Sequence, residues 1–259
     1  MKKILLSISI IFAISSSAQV INTFPTYTTL NGSWHNQPNG SVDQRDWLAD
    51  RSGTASSSTG PTANGGADHN PGIAGGYYLY LETSGCTQND QAFLESDSID
   101  LTGTNALQFE FWYHMYGGNM GTMHVDVDTT ANGTWLLDVV PSWTDNQDLW
   151  QLRSIDLSAF NGGYIKLRIR ANDNSTSTCC GSDMAIDDIT LYDLLANDAG
   201  VLSVDSPAVP YCTLPSMSNV YATIFNYGTD TLTSVDVAWE INGTPQTTYN
   251  WTGTILPRK

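Results

Sequence analysis

The sequence predicts an all-β protein, a sandwich or a barrel, and three observations carry that expectation. Gly, Ser, Thr, Asn and Asp are abundant while Lys, Glu and Arg are scarce. No amphipathic helix follows the N-terminal segment. Short runs of alternating apolar and polar residues recur, separated by turn residues, which is how half-buried antiparallel strands read.

The chain opens with Met1-Lys2-Lys3, then an apolar run from Ile4 to Ile14, then the small residues Ser15-Ser16-Ser17-Ala18. That order of charge, apolar stretch and small residues is a secretory signal peptide over residues 1–18, cut after Ala18. The run is shorter than the roughly 20 residues a bilayer span needs, and no other stretch is apolar enough to cross one. The mature chain has about 240 residues, and losing Lys2 and Lys3 takes its net charge from −16 to −18. Such an acidic surface argues against nucleic acid and anionic membranes as partners, and suits solubility or cation binding.

Three strands are explicit. Leu107, Phe109, Phe111, Tyr113 and Met115 alternate with Gln108, Glu110, Trp112 and His114. Met123, Val125 and Val127 alternate with Thr122, His124, Asp126 and Asp128, and Ile165, Leu167, Ile169 and Ala171 with Lys166, Arg168 and Arg170. Gly117-Gly118-Asn119 and Asn132-Gly133 supply turns. Ser52 to Gly66, rich in Gly, Ser and Thr, reads as a long surface loop. The tryptophans Trp34, Trp47, Trp135, Trp143 and Trp150 read as core or loop anchors.

After Leu194 the pattern restarts. Residues 197–204, 219–225, 234–241 and 247–251 read as strands of a second, smaller β unit, with Asn226-Tyr227-Gly228 and Asn242-Gly243 as hairpin turns. An immunoglobulin-like sandwich wants about seven strands in about 100 residues. The tail 197–259 is shorter, so it reads as an incomplete Ig-like domain and the chain as a piece of a longer protein.

Four cysteines, Cys86, Cys179, Cys180 and Cys212, remain after export, where disulfides are permitted. Cys86 with Cys179 or Cys180 is the favoured bridge, and a vicinal Cys179–Cys180 bridge is the alternative. No CxxC spacing or histidine pair points to zinc.

Several motifs now fall in a recognisable order: Thr59-Gly60-Pro61, Asp68-His69, Gly76-Tyr77-Tyr78-Leu79-Tyr80-Leu81-Glu82 and Ala92-Phe93-Leu94-Glu95-Ser96. Then come Phe109 to Gly117, Met120 to Val125, Trp150 ahead of Ile155-Asp156-Leu157, and Met184-Ala185-Ile186-Asp187-Asp188-Ile189-Thr190-Leu191. Residues 23–194 in this order resemble a MAM domain, the module named for meprin, neuropilin and receptor phosphatase mu. The resemblance implies a two-sheet, concanavalin-like jelly roll, secreted or at a cell surface, that serves adhesion, self-association or ligand binding and is not an enzyme. It is similar to bacterial versions that are accessory parts of secreted peptidases and adhesins, and the tail from Asn197 resembles the start of an Ig-like adhesion module. One departure stands out. The family's opening strand carries Phe-Glu, whose glutamate helps hold calcium, whereas Phe24-Pro25 and Tyr27-Thr28 are the nearest counterparts here.

Two sites follow. Asp187 shares parity with Ala185, Ile189 and Leu191, so alternation points it inward, where a carboxylate must be paired, hydrogen-bonded or metal-bound. It is the candidate ligand of a structural calcium, with Asp68 and backbone carbonyls, or else it ties down backbone N–H groups. The second site is a sheet face. If the strands at 107–115 and 122–128 pair, Glu110, Trp112, His114, His124, Asp126 and Asp128 lie together and can bind a sugar by stacking and hydrogen bonding, or else form an ordinary solvated face. Catalysis is not expected. The i,i+2 pair Asp126 and Asp128 reads as ordinary acids on an exposed strand, and neither an H-E-x-x-H nor a G-x-S-x-G motif is present. The expected partner is an extracellular protein or glycan.

Overall fold

A computed structural model of the chain describes residues 19–23, 33–85, 87, 89–130, 132–173, 181–206, 219–241 and 244–257. The signal segment 1–18, the counterparts of the missing Phe-Glu, and Cys86, Cys179, Cys180 and Cys212 all lie outside the described residues. No helix among the described residues is long and apolar enough to cross a membrane. The chain divides into two compact units, residues 20–193 and a smaller one from Leu194 onward.

The larger unit is a two-sheet jelly-roll sandwich. Its strands are β1 (Gln19–Thr23), β2 (Trp34–Asn36), β3 (Leu48–Asp50), β4 (Tyr78–Leu81), β5 (Gln91–Ser96) and β6 (Ile99–Asp100). β7 (Leu107–Gly117), β8 (Thr122–Asp128), β9 (Gln147–Asp156), β10 (Tyr164–Asn172) and β11 (Ser182–Asp193) complete it. One sheet has the order β3-β4-β11-β7-β9, with β1 also on β11; the other has β2-β5-β10-β6, with β8 also on β10. The inner faces close over one core in which Phe109, Phe111, Leu79 and Met184 meet Val125, Leu94, Leu167 and Ile169. Trp34 and Trp47 are fully enclosed in it. These are the apolar members of the alternating runs, so the period-two pattern located the inner faces as expected.

Pairing departs from expectation in one respect. β7 and β8 do not pair: β7 runs between β11 and β9, and β8 runs antiparallel to β10. The segment Gly117–Gly121 is a crossing between the sheets rather than a hairpin. Its glycines allow the approach. A Cβ on Gly117 would sit 2.0 Å from the Gly181 carbonyl oxygen, and one on Gly121 would sit 2.0 Å from that of Asn172. Glu110, Trp112 and His114 therefore lie on the outer face of one sheet, and His124, Asp126 and Asp128 on that of the other.

A second correction concerns Asp187. Ala185 and Asp187 oppose His114 and Trp112, but the register slips between Asp187 and Thr190. Asp188 there takes a left-handed φ of 49°. This β-bulge inserts one residue and reverses the alternation. Met184 and Ile186 before it, and Ile189 and Leu191 after it, face the core. Asp187 faces outward with Ala185, yet it is only 2% exposed, because residues 51–77, between β3 and β4, cross that face as a strap.

The smaller unit has β12 (Ala199–Ser206) paired with β13 (Tyr221–Asn226), and β14 (Leu232–Val237) paired with β17 (Tyr249–Ile255). Ala199, Leu232 and Val235 form its core, with Ile224 and Trp251 packed on them. Asn226-Tyr227-Gly228 connects the two ribbons instead of turning a hairpin. Its Asn226 amide donates to the Asp230 and Ile255 carbonyls. β15 (Glu240–Ile241) and β16 (Thr244–Pro245) pair antiparallel, and Asn242-Gly243, expected as a hairpin turn, lies outside the described residues.

Candidate ligand-binding site

The two outer faces of the sandwich treat their acids differently. On the β8–β10 face, the register sets Asp126 opposite Arg168 and Asp128 opposite Lys166. Asp126 is fully buried. Its Oδ2 accepts from Nε of Arg168 at 2.8 Å and Nε of Arg170 at 3.0 Å, and its Oδ1 accepts from the Asp138 N–H at 2.9 Å. Burial alone would raise its pKa. Hydrogen bonds from Arg170 and the Asp138 backbone, with both guanidinium charges, hold it below the usual carboxylate range instead. Glu95 pairs with Arg168 and Lys166, and the Arg168 guanidinium lies between Phe93 and Trp135, 4.3 and 4.2 Å from the ring centroids. His124 Nδ1 sits 2.5 Å from Asp138 Oδ1. The pair Asp126 and Asp128, expected on an exposed strand, is buried, and Asp128 accepts from the N–H groups of Thr130 and Gly133. These contacts fasten residues 129–143 along β8.

The β11–β7 face lies under the strap. Thr54 and Thr59 hydroxyls donate to Asp183 Oδ2, at 2.6 and 2.7 Å. Asp148 takes the Thr62 and Ala63 N–H groups and the Thr62 hydroxyl. Trp150 Nε1 donates to the Ala67 carbonyl at 3.0 Å. The Gly/Ser/Thr-rich stretch is thus pinned at several points, because short hydroxyl side chains fit carboxylates that outward parity places beneath them.

Asp68 and Asp187, the two residues singled out for calcium, come together here with Asp188 and His69. Asp187 Oδ2 accepts from the His69 N–H at 3.0 Å and Oδ1 from the Asp188 N–H at 2.8 Å. Asp68 Oδ1 accepts from the Gly72 and Ile73 N–H groups. Both carboxylates tie down backbone N–H groups. Burial, reinforced by the Asp188 and Asp68 charges, pushes the Asp187 carboxyl up to about 7 against these hydrogen bonds. His69 Nδ1 lies 2.6 Å from Asp188 Oδ2, and its ring stacks on Trp112 at 3.6 Å with a 14° tilt. One face of Trp112 is therefore covered. Glu110 lies further along β7, where its Oε1 accepts from the Ser154 hydroxyl. The six residues expected on a single sugar-binding face are divided between two faces and bound into separate networks.

Between the strap and β9 lies a cavity of about 240 Å³, with Asp68, His69, His114, Asp148, Leu149 and Trp150 in its lining. His114 is 1% exposed, its Nε2 is 3.1 Å from Asp148 Oδ1, and its Nδ1 has no hydrogen-bond partner. No lysine or arginine forms a salt bridge with Asp68, Asp148, Asp187 or Asp188 among the described residues. Sequence reasoning named His114, Asp68 and Asp187 but missed Asp148, Asp183 and Asp188. Asp148 belongs to a strand without clean alternation, and Asp188 is the bulge residue.

The family model described as "MAM domain, meprin/A5/mu" matches residues 28–195. The chain belongs to the MAM domain family. It is 29% identical to Neuropilin-1a of Danio rerio over 167 residues, 63% of this chain and 17% of that protein. It is 38% identical to MAM domain-containing protein 2 of Homo sapiens over 80 residues, 30% of this chain and 10% of that protein. The chain thus spans a small part of both relatives' length. Among solved structures, the K1 cleaved adhesin domain of Lys-gingipain from Porphyromonas gingivalis W83 superposes with a TM-score of 0.39 at 16% identity, over 68% of this chain and 96% of that one. The CBM22-1 xylan-binding domain of Paenibacillus barcinonensis Xyn10C gives a TM-score of 0.42 at 9% identity, over 70% and 97%.

Proposed function

We propose that this chain is a non-catalytic extracellular binding module, exported through the signal at residues 1–18, in which the MAM domain engages an extracellular protein or glycan and the unit from Asn197 is an Ig-like adhesion module. The observation that carries the reading is MAM family membership across residues 28–195. The outer faces support it. Their polar side chains fasten loops to a rigid sandwich, which suits a surface that holds its shape for a partner. The alternative, an accessory and carbohydrate-binding region of a larger secreted hydrolase or peptidase, gives the same surface a catalytic neighbour. Immobilised full chain, probed with a glycan array, extracellular-matrix proteins and a second copy of itself, tests the reading. Saturable binding to one of these without chemical change is expected. Turnover of a probe by the chain, or no binding to any class, contradicts it.

A structural calcium at Asp187 and Asp68 is a further part of the proposal. One observation favours it: a buried carboxylate pushed up to about 7 beside two more acids, with no lysine or arginine salt bridge to it among the described residues. No group of three His, Cys, Asp or Glu among the described residues is arranged to hold a metal. Calcium here would draw the rest of its six to eight oxygens from backbone carbonyls and water.

A further inference from the structure

We propose that the cavity beneath the strap receives the positively charged side chain of a lysine or arginine on a partner polypeptide. The inference rests on the binding-module reading and names the chemistry of one contact within it.

Size comes first. At about 240 Å³ the cavity is below the roughly 300–1,000 Å³ of sites for drug-sized ligands. It suits one side chain or one sugar ring. Leu149, Ala67 and Trp150 in its lining offer apolar surface to a methylene stem.

Charge decides between the two. Burial alone would raise the Asp148 carboxyl, but hydrogen bonds from the Thr62 hydroxyl and the Thr62 and Ala63 N–H groups outweigh it and hold Asp148 below the usual carboxylate range, so it is ionised at neutral pH. Burial pulls the His114 imidazole below its ordinary value despite Asp148, so it is neutral. A neutral ring facing an ionised carboxylate through Nε2 must carry its proton there, which leaves Nδ1 a bare lone pair. That Nδ1 belongs to a side chain 1% exposed and has no partner, a situation that costs free energy until a donor arrives. Trp150 Nε1, a donor in the lining, is spent on the Ala67 carbonyl. Asn64, an exposed amide, and His69 are the remaining polar side chains of the lining. The charged part of the lining is two carboxylates, with Asp187 and Asp188 nearby, and no lysine or arginine lines it. A neutral sugar would leave those charges uncompensated. An ammonium or guanidinium carries both the charge and several N–H donors. The chain's net charge of −16 favours encounter with basic partners.

The test uses the full chain with Nα-acetyl-lysine methylamide and Nα-acetyl-arginine methylamide as probes. Nα-acetyl-norleucine methylamide is the uncharged control, and xylose, galactose and calcium chloride are further arms. Calorimetry gives affinity; ¹⁵N NMR follows the His114 ring and the Trp150 indole N–H. At least one charged probe should bind saturably, at least tenfold tighter than norleucine and more weakly at high salt, and should shift the His114 Nδ1 resonance. Asp148→Asn should weaken that binding at least tenfold. Because Asp148 also pins the strap, Leu149→Trp at an exposed rim position is the second variant. It should keep the thermal midpoint and abolish binding by filling the cavity. Equal affinity for norleucine, no saturable binding of a charged probe, or charged-probe binding that survives Leu149→Trp would each overturn the inference. Tighter binding of a sugar would also overturn it, while leaving the binding-module reading intact.

Discussion

On the outer face of the β8–β10 sheet, Asp126 meets Arg168 and Arg170. On the outer face of the β11–β7 sheet, Asp187 accepts, among the described residues, from the N–H groups of His69 and Asp188. Both acids are buried by a loop folded over a strand. The first is held below the usual carboxylate range; the second is pushed up to about 7. Burial is the same in kind, so the difference lies in the counter-charge. A face that carries its own cations is closed and does structural duty. A face whose acids lack them is electrostatically unfinished, and a ligand from outside can complete it.

Removing the internal counter-charge should show the contrast at its largest. Asp126→Ala leaves two buried guanidinium groups without their shared carboxylate, which should cost about 3–5 kcal/mol in urea unfolding. A loss below about 1 kcal/mol would mean the network is not what fastens residues 129–143. On the other face, Asp148→Ala frees the Thr62 and Ala63 N–H groups and should cost about 1–3 kcal/mol. Amide exchange at those two residues should accelerate while β10 amides stay protected; uniform acceleration would show that the strap is not a separate element.

The pH dependence sharpens the comparison further. The Asp187 carboxyl has a folded pKa of about 7, above its unfolded value near 3.8. Its protonated form therefore contributes stability that is full below about pH 4 and is lost as pH rises through 7. Without added cations, Asp187→Asn should be more stable than wild type at pH 8, and the difference should shrink toward pH 4. The smallest single contribution is the His69–Trp112 stack: a double-mutant cycle of Trp112→Leu and His69→Ala in urea unfolding should give a coupling of about 0.5–1.5 kcal/mol.

Much of this was legible in the sequence. The alternation of Leu107 to Met115, Met123 to Val127 and Ile165 to Ala171 told which side chains enter the core, because a pleated strand has no choice of period. It did not tell which strand neighbours which. Alternation is the same whether β7 turns back as a hairpin or crosses to the other sheet, and the crossing is set by contacts of Gly117 and Gly121 with distant carbonyls. That ambiguity divided the expected sugar-binding face in two. The burial of Asp187 was anticipated, but for the wrong face, since counting parity through Ile189 and Leu191 runs across a bulge that only Asp188's left-handed backbone reveals. The strap read as a tolerant surface loop because Ser and Thr are common in such loops. Its role depends on Asp148 and Asp183, far along the chain.

The most direct test of the unfinished face is thermal unfolding of the full chain at pH 8, with calcium or with chelator, for wild type, Asp187→Asn and Asp126→Asn. A ligand that binds only the native state raises its midpoint. Calcium should raise the midpoint of wild type and of Asp126→Asn, whose lesion is on the closed face, and leave Asp187→Asn unmoved. An equal response in Asp187→Asn, or no response in wild type, would contradict a cation site on the β11–β7 face.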